Sequence, residues 1–133
     1  ERKPTVKLVV DNRLREIGGG RTEGTTETER IEKWGESWRE LDLGVEPHEE
    51  LIARGMAFIE DIKTKHPDQS VLVVSHGSFI RRLVKELVAD EELNSSLDNT
   101  SVTVVKLQDE KNYCELYNCM EHLQVLKQQK ASI

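Results

Sequence analysis

A short apolar run that leads through a polar turn into an amphipathic segment constrains the fold most strongly. Val71–Ser75 (VLVVS) is apolar on both faces, as expected of a central strand in a sheet that is covered on both sides. His76, Gly77 and Ser78 form the turn, and the apolar residues of Phe79–Val88 then recur at helical spacing. A buried strand followed by such a helix is typical of α/β folds.

The remaining segments predict where the other elements lie. Pro47 is suited to the start of a helix, and apolar residues recur at helical spacing from there to Lys65. The charged segment Thr25–Trp38 has weaker helical character, and its two tryptophans, one turn apart, predict a packing ridge. Three further strands are predicted, at Thr5–Val10, Val102–Leu107 and Tyr113–Cys119. This order predicts a three-layer α/β/α domain around a mostly parallel sheet.

Composition limits the classes to which the chain can belong. Its 133 residues suit one domain, and a hydrophobic fraction of 36% is enough for a core. With 19 Lys and Arg against 25 Asp and Glu, the net charge of −6 argues against nucleic acid as a partner. No apolar run approaches the roughly 18 residues of a membrane span. We expect no signal peptide either, and no membrane partner.

The cysteines predict little chemistry. Cys114 and Cys119 lie five residues apart on a predicted strand, so they should point to opposite faces and stay unpaired. Reduced thiols of this kind indicate a cytoplasmic protein. Together with His122 they could be imagined as metal ligands, but no second ligand pair follows at zinc spacing. We therefore expect neither a metal nor a cofactor.

His76 is the strongest local candidate for chemistry. It lies at the strand-to-helix turn, beside backbone N–H groups that the start of a helix leaves free for an anion. Gly77 lacks the Cβ that would otherwise crowd a phosphate group. The alternative is a capping turn in which the histidine only hydrogen-bonds to the backbone.

Glu16 is the second candidate. It follows the first predicted strand, within the polar and glycine-rich loop Arg13–Gly24, for which no regular structure is expected. A carboxylic acid at the end of a strand can protonate a leaving group. The alternative is a solvated glutamate among arginines. The glycines Gly18–Gly20 match neither a P-loop nor a dinucleotide-binding fingerprint.

Together these motifs resemble the histidine phosphatase (phosphoglycerate-mutase-like) superfamily. Val74–Arg81 (VSHGSFIR) is similar to the second histidine motif of that family, and Arg13–Gly24 is similar to its acid-bearing loop. Between them, Gly44–Glu46 followed by Glu50 and Arg54 is similar to the segment that precedes the second motif. The motifs occur in the family's order over nearly the whole chain. The arginine-rich loop most resembles fructose-2,6-bisphosphatase-like phosphatases.

The resemblance implies a phosphatase that hydrolyses a small phosphate monoester, such as a sugar phosphate, through a phosphohistidine intermediate and without a metal. Carried over to this sequence, His76 is the second histidine, the Gly77 amide binds the phosphoryl group and Glu16 is the general acid. Two alternatives stay open. One is a mutase that returns the phosphoryl group to its substrate, and the other is a catalytically inactive homologue that binds phosphorylated partners.

One part of the family pattern has no counterpart in the sequence. The family begins with a strand that ends in Arg-His-Gly and carries the nucleophilic histidine, and none of the histidines here stands in that context. The chain also starts at Glu1 rather than at Met. We therefore expect residues 1–133 to be the C-terminal part of one histidine phosphatase domain, which lacks the N-terminal strand and helices. The N-terminal half would be required for activity.

Overall fold

The computed structural model describes residues 6–124, in which three helices precede a pair of strands. In chain order the elements are α1 (Glu27–Trp34), α2 (His48–Lys65), α3 (Gly77–Val88), β1 (Val102–Lys106) and β2 (Tyr113–Cys119). Short 3₁₀ turns lie at Asn12–Leu14, Gly20–Thr22 and Trp38–Glu40. Two of these turns fall in the loop for which no regular structure was expected. No helix within residues 6–124 is both long and apolar enough to cross a membrane.

Helices α2 and α3 confirm the two strongest helix predictions. Pro47 is the N-cap of α2, and Glu49 and Glu50 in its first turn interact favourably with the helix dipole. The helix ends at Lys65, two residues before Pro67. Both helices carry a continuous apolar stripe, and α2 also has end signals, so the apolar pattern locates both helices in the sequence.

The hydrophobic core lies where α2 packs against α3. Gly55 permits the close approach of the two helices, because a Cβ at this position would lie 2.8 Å from Cδ1 of Leu83. Leu14 and Ile17, which flank Glu16, pack against the same cluster. The core therefore also fixes the acid-bearing loop. Its buried members are Leu51, Phe79 and Leu83.

Strands β1 and β2 pair in antiparallel fashion and confirm the two C-terminal strand predictions. Val105 lies opposite Cys114 and Lys106 lies opposite Tyr113, while the register shifts twice between Val102 and Val105. Such irregularities bend a strand pair and increase its twist. Both cysteines are free thiols.

The other two predicted strands are not formed in the part of the chain that the structure describes. Residues 6–10 and Val71–Ser75 have no partner strand, and Leu72 is 90% exposed while Val10 is 89% exposed. The predicted burial of Val71–Ser75 is therefore wrong for the described residues. A strand forms only where a neighbour satisfies its N–H and C=O groups, and no segment within 6–124 does so. Thr5 lies outside the described residues.

The sheet is consequently smaller than predicted. The described residues contain one sheet of two antiparallel strands, rather than a mostly parallel sheet between two helical layers. The α/β class stands, since helices α2 and α3 and a β-sheet make up the same unit and α3 contacts β2.

The two tryptophans lie in different elements. Gly35, with a φ of 84°, ends α1 directly after Trp34, and Trp38 begins a separate 3₁₀ turn. Trp38 is buried and donates its Nε1–H to Oε1 of Glu27, 3.2 Å away. The predicted ridge along a single helix is therefore wrong, because the glycine turns the chain between the two rings.

Candidate active site

The carboxylate of Glu16 lies against the first turn of α3. Its Oε1 accepts hydrogen bonds from the backbone N–H groups of Ile17 (2.9 Å) and Phe79 (3.0 Å). The start of a helix carries unpaired N–H groups and a partial positive charge, so a carboxylate is a favourable acceptor there. The structure thus brings Glu16 to the turn that carries His76 and Gly77, across 63 positions of sequence.

His76 occupies the N-cap position of α3. Its backbone is extended, with a φ of −115° and a ψ of 152°, and its carbonyl oxygen accepts the N–H of Ile80 at 2.9 Å. The side chain makes no capping hydrogen bond, and the residue is exposed. The alternative in which the imidazole serves only to cap the helix is therefore wrong. The ring is left available for another partner.

Gly77 is the first residue of α3 and is exposed. A Cβ at this position would come no closer than 3.6 Å to its neighbours, at the carbonyl oxygen of Leu97, which is an ordinary contact. Packing among the described residues therefore does not require glycine here. No acceptor within residues 6–124 contacts the N–H groups of Gly77 and Ser78.

A second contact joins the acid-bearing loop to the turn before α3. The Oγ–H of Ser75 donates a hydrogen bond of 2.6 Å to the carbonyl oxygen of Leu14. Together with the bond from Phe79 to Glu16, it fixes the two segments at two points, one on each side of His76. The geometry of this region is therefore set by contacts between loops.

The acid-bearing loop is also bound to residues 43–46. The N–H of Glu46 donates to the carbonyl oxygen of Gly18 at 2.7 Å, and the N–H of Arg21 donates to that of Leu43 at 2.8 Å. Gly20 has a φ of +54°, and a Cβ there would lie 2.3 Å from the carbonyl oxygen of Leu43. Only glycine permits this approach of two backbones.

Glu46 and Arg54 form an ion pair to which sequence reasoning gave no role. Nε and Nη2 of Arg54 donate to the two carboxylate oxygens of Glu46 at 2.7 and 2.9 Å. The side chains are 7% and 10% exposed, respectively. Hydrogen bonds from Arg54, and a weaker one from the N–H of Gly18, lower the pKa of Glu46 from 4.5 to about 2. In the sequence, Glu46 lies on a loop and Arg54 lies eight positions later on a predicted helix, and this spacing alone does not indicate an ion pair.

Two arginines of the acid-bearing loop, Arg13 and Arg15, are also engaged by carboxylates. Arg13 donates to Asp11 and forms an ion pair of 2.8 Å with Asp61, and Arg15 contacts Glu46 at 3.5 Å. These cations therefore neutralise protein charges. His76 and Gly77, exposed at the start of α3, make no such pair with a carboxylate among the described residues.

Comparison with known proteins identifies the family. The family model of the histidine phosphatase superfamily (branch 1) matches residues 1–120. The metal-independent phosphoserine phosphatase of Arabidopsis thaliana is 32% identical over 84 residues, which are 63% of this chain and 35% of that protein. The putative phosphoserine phosphatase 2 of Hydrogenobacter thermophilus is 31% identical over 131 residues, which are 90% of this chain and 64% of that protein.

Solved structures share the fold. Bacillus stearothermophilus YhfR superposes with a TM-score of 0.73 at 22% identity, over 85% of this chain and 62% of that chain. The chain thus spans between about a third and two thirds of the length of the relatives that it matches. The matched residues include the acid-bearing loop and the turn at His76, and on this evidence the chain belongs to branch 1 of the histidine phosphatase superfamily.

Proposed function

We propose that this chain supplies the second histidine, the general acid and part of the phosphate-binding turn of a histidine phosphatase that hydrolyses small phosphate monoesters. The observation that carries the proposal is the hydrogen bond between Glu16 and the first turn of α3. It brings a carboxylic acid to the exposed turn at His76 and Gly77, where a phosphoryl group would find hydrogen-bond donors.

The contacts of Glu16 support its role as the acid. Both hydrogen bonds are accepted by Oε1, and no described residue donates to Oε2. One oxygen therefore fixes the carboxyl group and the other is free to carry a proton. A general acid needs this combination, because it must be held within reach of the leaving oxygen and still exchange its proton.

The proposed reaction has two steps. A nucleophilic histidine forms a bond to phosphorus while the ester P–O bond breaks, and Glu16 gives its proton to the departing alkoxide. The Glu16 carboxylate then takes a proton from water, whose oxygen bonds to phosphorus while the P–N bond of the phosphohistidine breaks, which releases inorganic phosphate and the free histidine. In both steps His76 and the N–H of Gly77 would stabilise the charge that builds up on the phosphoryl oxygens.

The nucleophilic histidine would come from an N-terminal half of the same domain. We propose that this half contributes a strand that pairs with residues 6–10 and Val71–Ser75 and completes a mostly parallel, three-layer sheet. The exposure of Leu72 and Val10 supports this proposal, because apolar strand-forming segments are stable when paired and covered. The free thiols of Cys114 and Cys119 support a cytoplasmic location.

The experiment is an assay of phosphate release by the complete protein with O-phosphoserine, a sugar phosphate and 3-phosphoglycerate. O-Phosphoserine is the first choice because two relatives are named for that activity. We expect hydrolysis that persists in EDTA. Conversion of 3-phosphoglycerate to its 2-isomer would show a mutase instead. Binding of vanadate without any turnover would show a phosphate-binding homologue.

A further inference from the structure

Arg54 donates more hydrogen bonds to the backbone of the acid-bearing loop than any other side chain within residues 6–124. Besides its two bonds to Glu46, its Nη1 donates to the carbonyl oxygens of Arg13 (2.6 Å) and Arg15 (2.9 Å), and its Nη2 donates to that of Glu16 (3.3 Å). A guanidinium group has five N–H donors. All five are used here, three of them on backbone carbonyl oxygens, of which two precede the proposed acid and one belongs to the acid itself.

The same guanidinium also packs on the residue that binds the acid. Its central carbon lies 4.6 Å from the centroid of the Phe79 ring, and the Phe79 N–H donates to Oε1 of Glu16. Phe79 is 1% exposed. Arg54 therefore contacts both the backbone from which the Glu16 side chain extends and the residue that holds its carboxylate.

Glu46 completes this arrangement from the other side. It binds two nitrogens of Arg54 in a bidentate pair, and its Oε2 also accepts the N–H of Gly18, two residues after Glu16. The carboxylate fixes the plane of the guanidinium group, and the plane in turn directs the remaining N–H groups at the loop carbonyls. A lysine would keep the charge but not this planar fork.

We propose that Arg54, oriented by Glu46, is a positioning residue that holds Glu16 in register with the first turn of α3. This inference rests on the proposed function, since it assigns Arg54 a role through the acid. It does not place Arg54 in contact with substrate. Arg54 acts on the reaction only by fixing the loop that bears the proton donor.

The test is a double-mutant cycle in the complete protein, with Arg54→Lys and Glu16→Gln, measured as kcat/KM. With O-phosphoserine, whose leaving group needs a proton, we expect Arg54→Lys to cost about 10-fold or more in the wild-type background, because small misplacements of a catalytic group are costly. In the Glu16→Gln background, Arg54→Lys should lower kcat/KM by less than about 2-fold, because the acid that Arg54 positions is already absent. Equal factors in both backgrounds would overturn the proposal.

A matched control is Arg39→Lys. Arg39 also forms a bidentate pair, with Glu27 at 2.9 and 3.0 Å, but it is 65% exposed and does not contact the acid-bearing loop. This variant should leave kcat/KM unchanged. If Arg54→Lys fails to fold, Glu46→Gln takes its place in the cycle, because it removes the orienting charge and leaves the three bonds to the loop backbone possible.

A second measurement separates the failure of this inference from the failure of the proposed function. In the folded wild type, the Phe79 amide should be protected from hydrogen exchange, because it donates a hydrogen bond to Glu16. In Arg54→Lys that protection should be reduced or lost, and unchanged protection would contradict the positioning role. The result holds whether or not the protein hydrolyses phosphate esters.

Discussion

The backbone N–H of Phe79 and the carboxylate of Glu16 are joined by a hydrogen bond of 3.0 Å that links the start of α3 to the loop after the first apolar segment. A side chain 63 positions earlier thus supplies the acceptor that the N-cap residue His76 does not provide. Helix starts are usually satisfied by a neighbouring Ser, Thr, Asp or Asn. Here the acceptor is the proposed acid, so local helix stability and chemistry depend on one contact.

Replacement of His76 by alanine should lower kcat of the complete protein by about 10² or more, because the proposed role of the imidazole is to stabilise the phosphoryl group in the transition state. The exposed side chain makes no capping bond, so the thermal unfolding temperature should stay the same. Steady-state kinetics with p-nitrophenyl phosphate measure the effect. Near-normal turnover would remove His76 from the site.

Replacement of Glu16 by glutamine should affect substrates according to their leaving groups. An alkyl phosphate needs protonation of its leaving oxygen, so kcat/KM for O-phosphoserine should fall by about 10² or more. The value for p-nitrophenyl phosphate should change little. Losses of equal size on both substrates would indicate that Glu16 only holds the helix or the loop.

Replacement of Gly20 by alanine should destabilise the protein by more than the same change at Gly24. Both glycines have a positive φ, so the conformational cost is shared, but only Gly20 lies against another backbone. A Cβ there would lie 2.3 Å from the Leu43 carbonyl oxygen, whereas Gly24 has no neighbour within 4 Å. We expect a difference of about 2 kcal/mol in the free energy of unfolding. Urea denaturation of the two variants measures it, and equal losses would refute the close approach.

Replacement of Glu46 by glutamine should have an effect on stability that depends on pH. The folded pKa is lowered from 4.5 to about 2, so the unfolded chain binds the proton first as the pH falls. The stabilisation by the carboxylate is therefore complete above about pH 4.5 and is lost progressively towards pH 2. We expect the variant to be less stable than the wild type by about 3 kcal/mol at pH 7. The difference in the free energy of unfolding between the two proteins should be smaller at pH 3. A difference that does not change with pH would argue against the ion pair.

Residues 1–133 alone should be inactive and should not unfold cooperatively. The apolar segments at 6–10 and Val71–Ser75 lack partner strands among the described residues and lie largely exposed, so their apolar side chains add little to the free energy of unfolding. Calorimetry and a phosphatase assay on the purified segment test this. A monomeric, cooperatively folding and active segment would show that the N-terminal half is not required.

The sequence predicted those elements whose signals are local. Helix α3 and the pair β1–β2 have their periodicity and turns within a few residues, and they lie where expected. Val71–Ser75 has an equally clear apolar pattern, yet it forms no strand in the described residues, because pairing depends on a second segment that the pattern does not identify. A strand, unlike a helix, cannot satisfy its own backbone.

The same distinction holds for the candidate site. Glu16 and His76 were predicted as site residues from their positions after apolar segments, and the structure brings their two segments together. Arg54 and Glu46 were missed as contributors, because an arginine on a helix is usually a solvated surface residue. The burial of Arg54 and its hydrogen bonds to three loop carbonyl oxygens result from the packing of α2 against the loop, which the sequence pattern does not show.

The hydrogen bond from the N–H of Arg21 to the carbonyl oxygen of Leu43 closes the chain on itself at the base of residues 22–42. Helix α1 and both tryptophans lie between these two residues. The entropy of closing a loop rises slowly with length, by about 0.6 kcal/mol for each doubling. Changes of length within residues 25–42 should therefore cost little stability and leave the carboxylate of Glu16 in place.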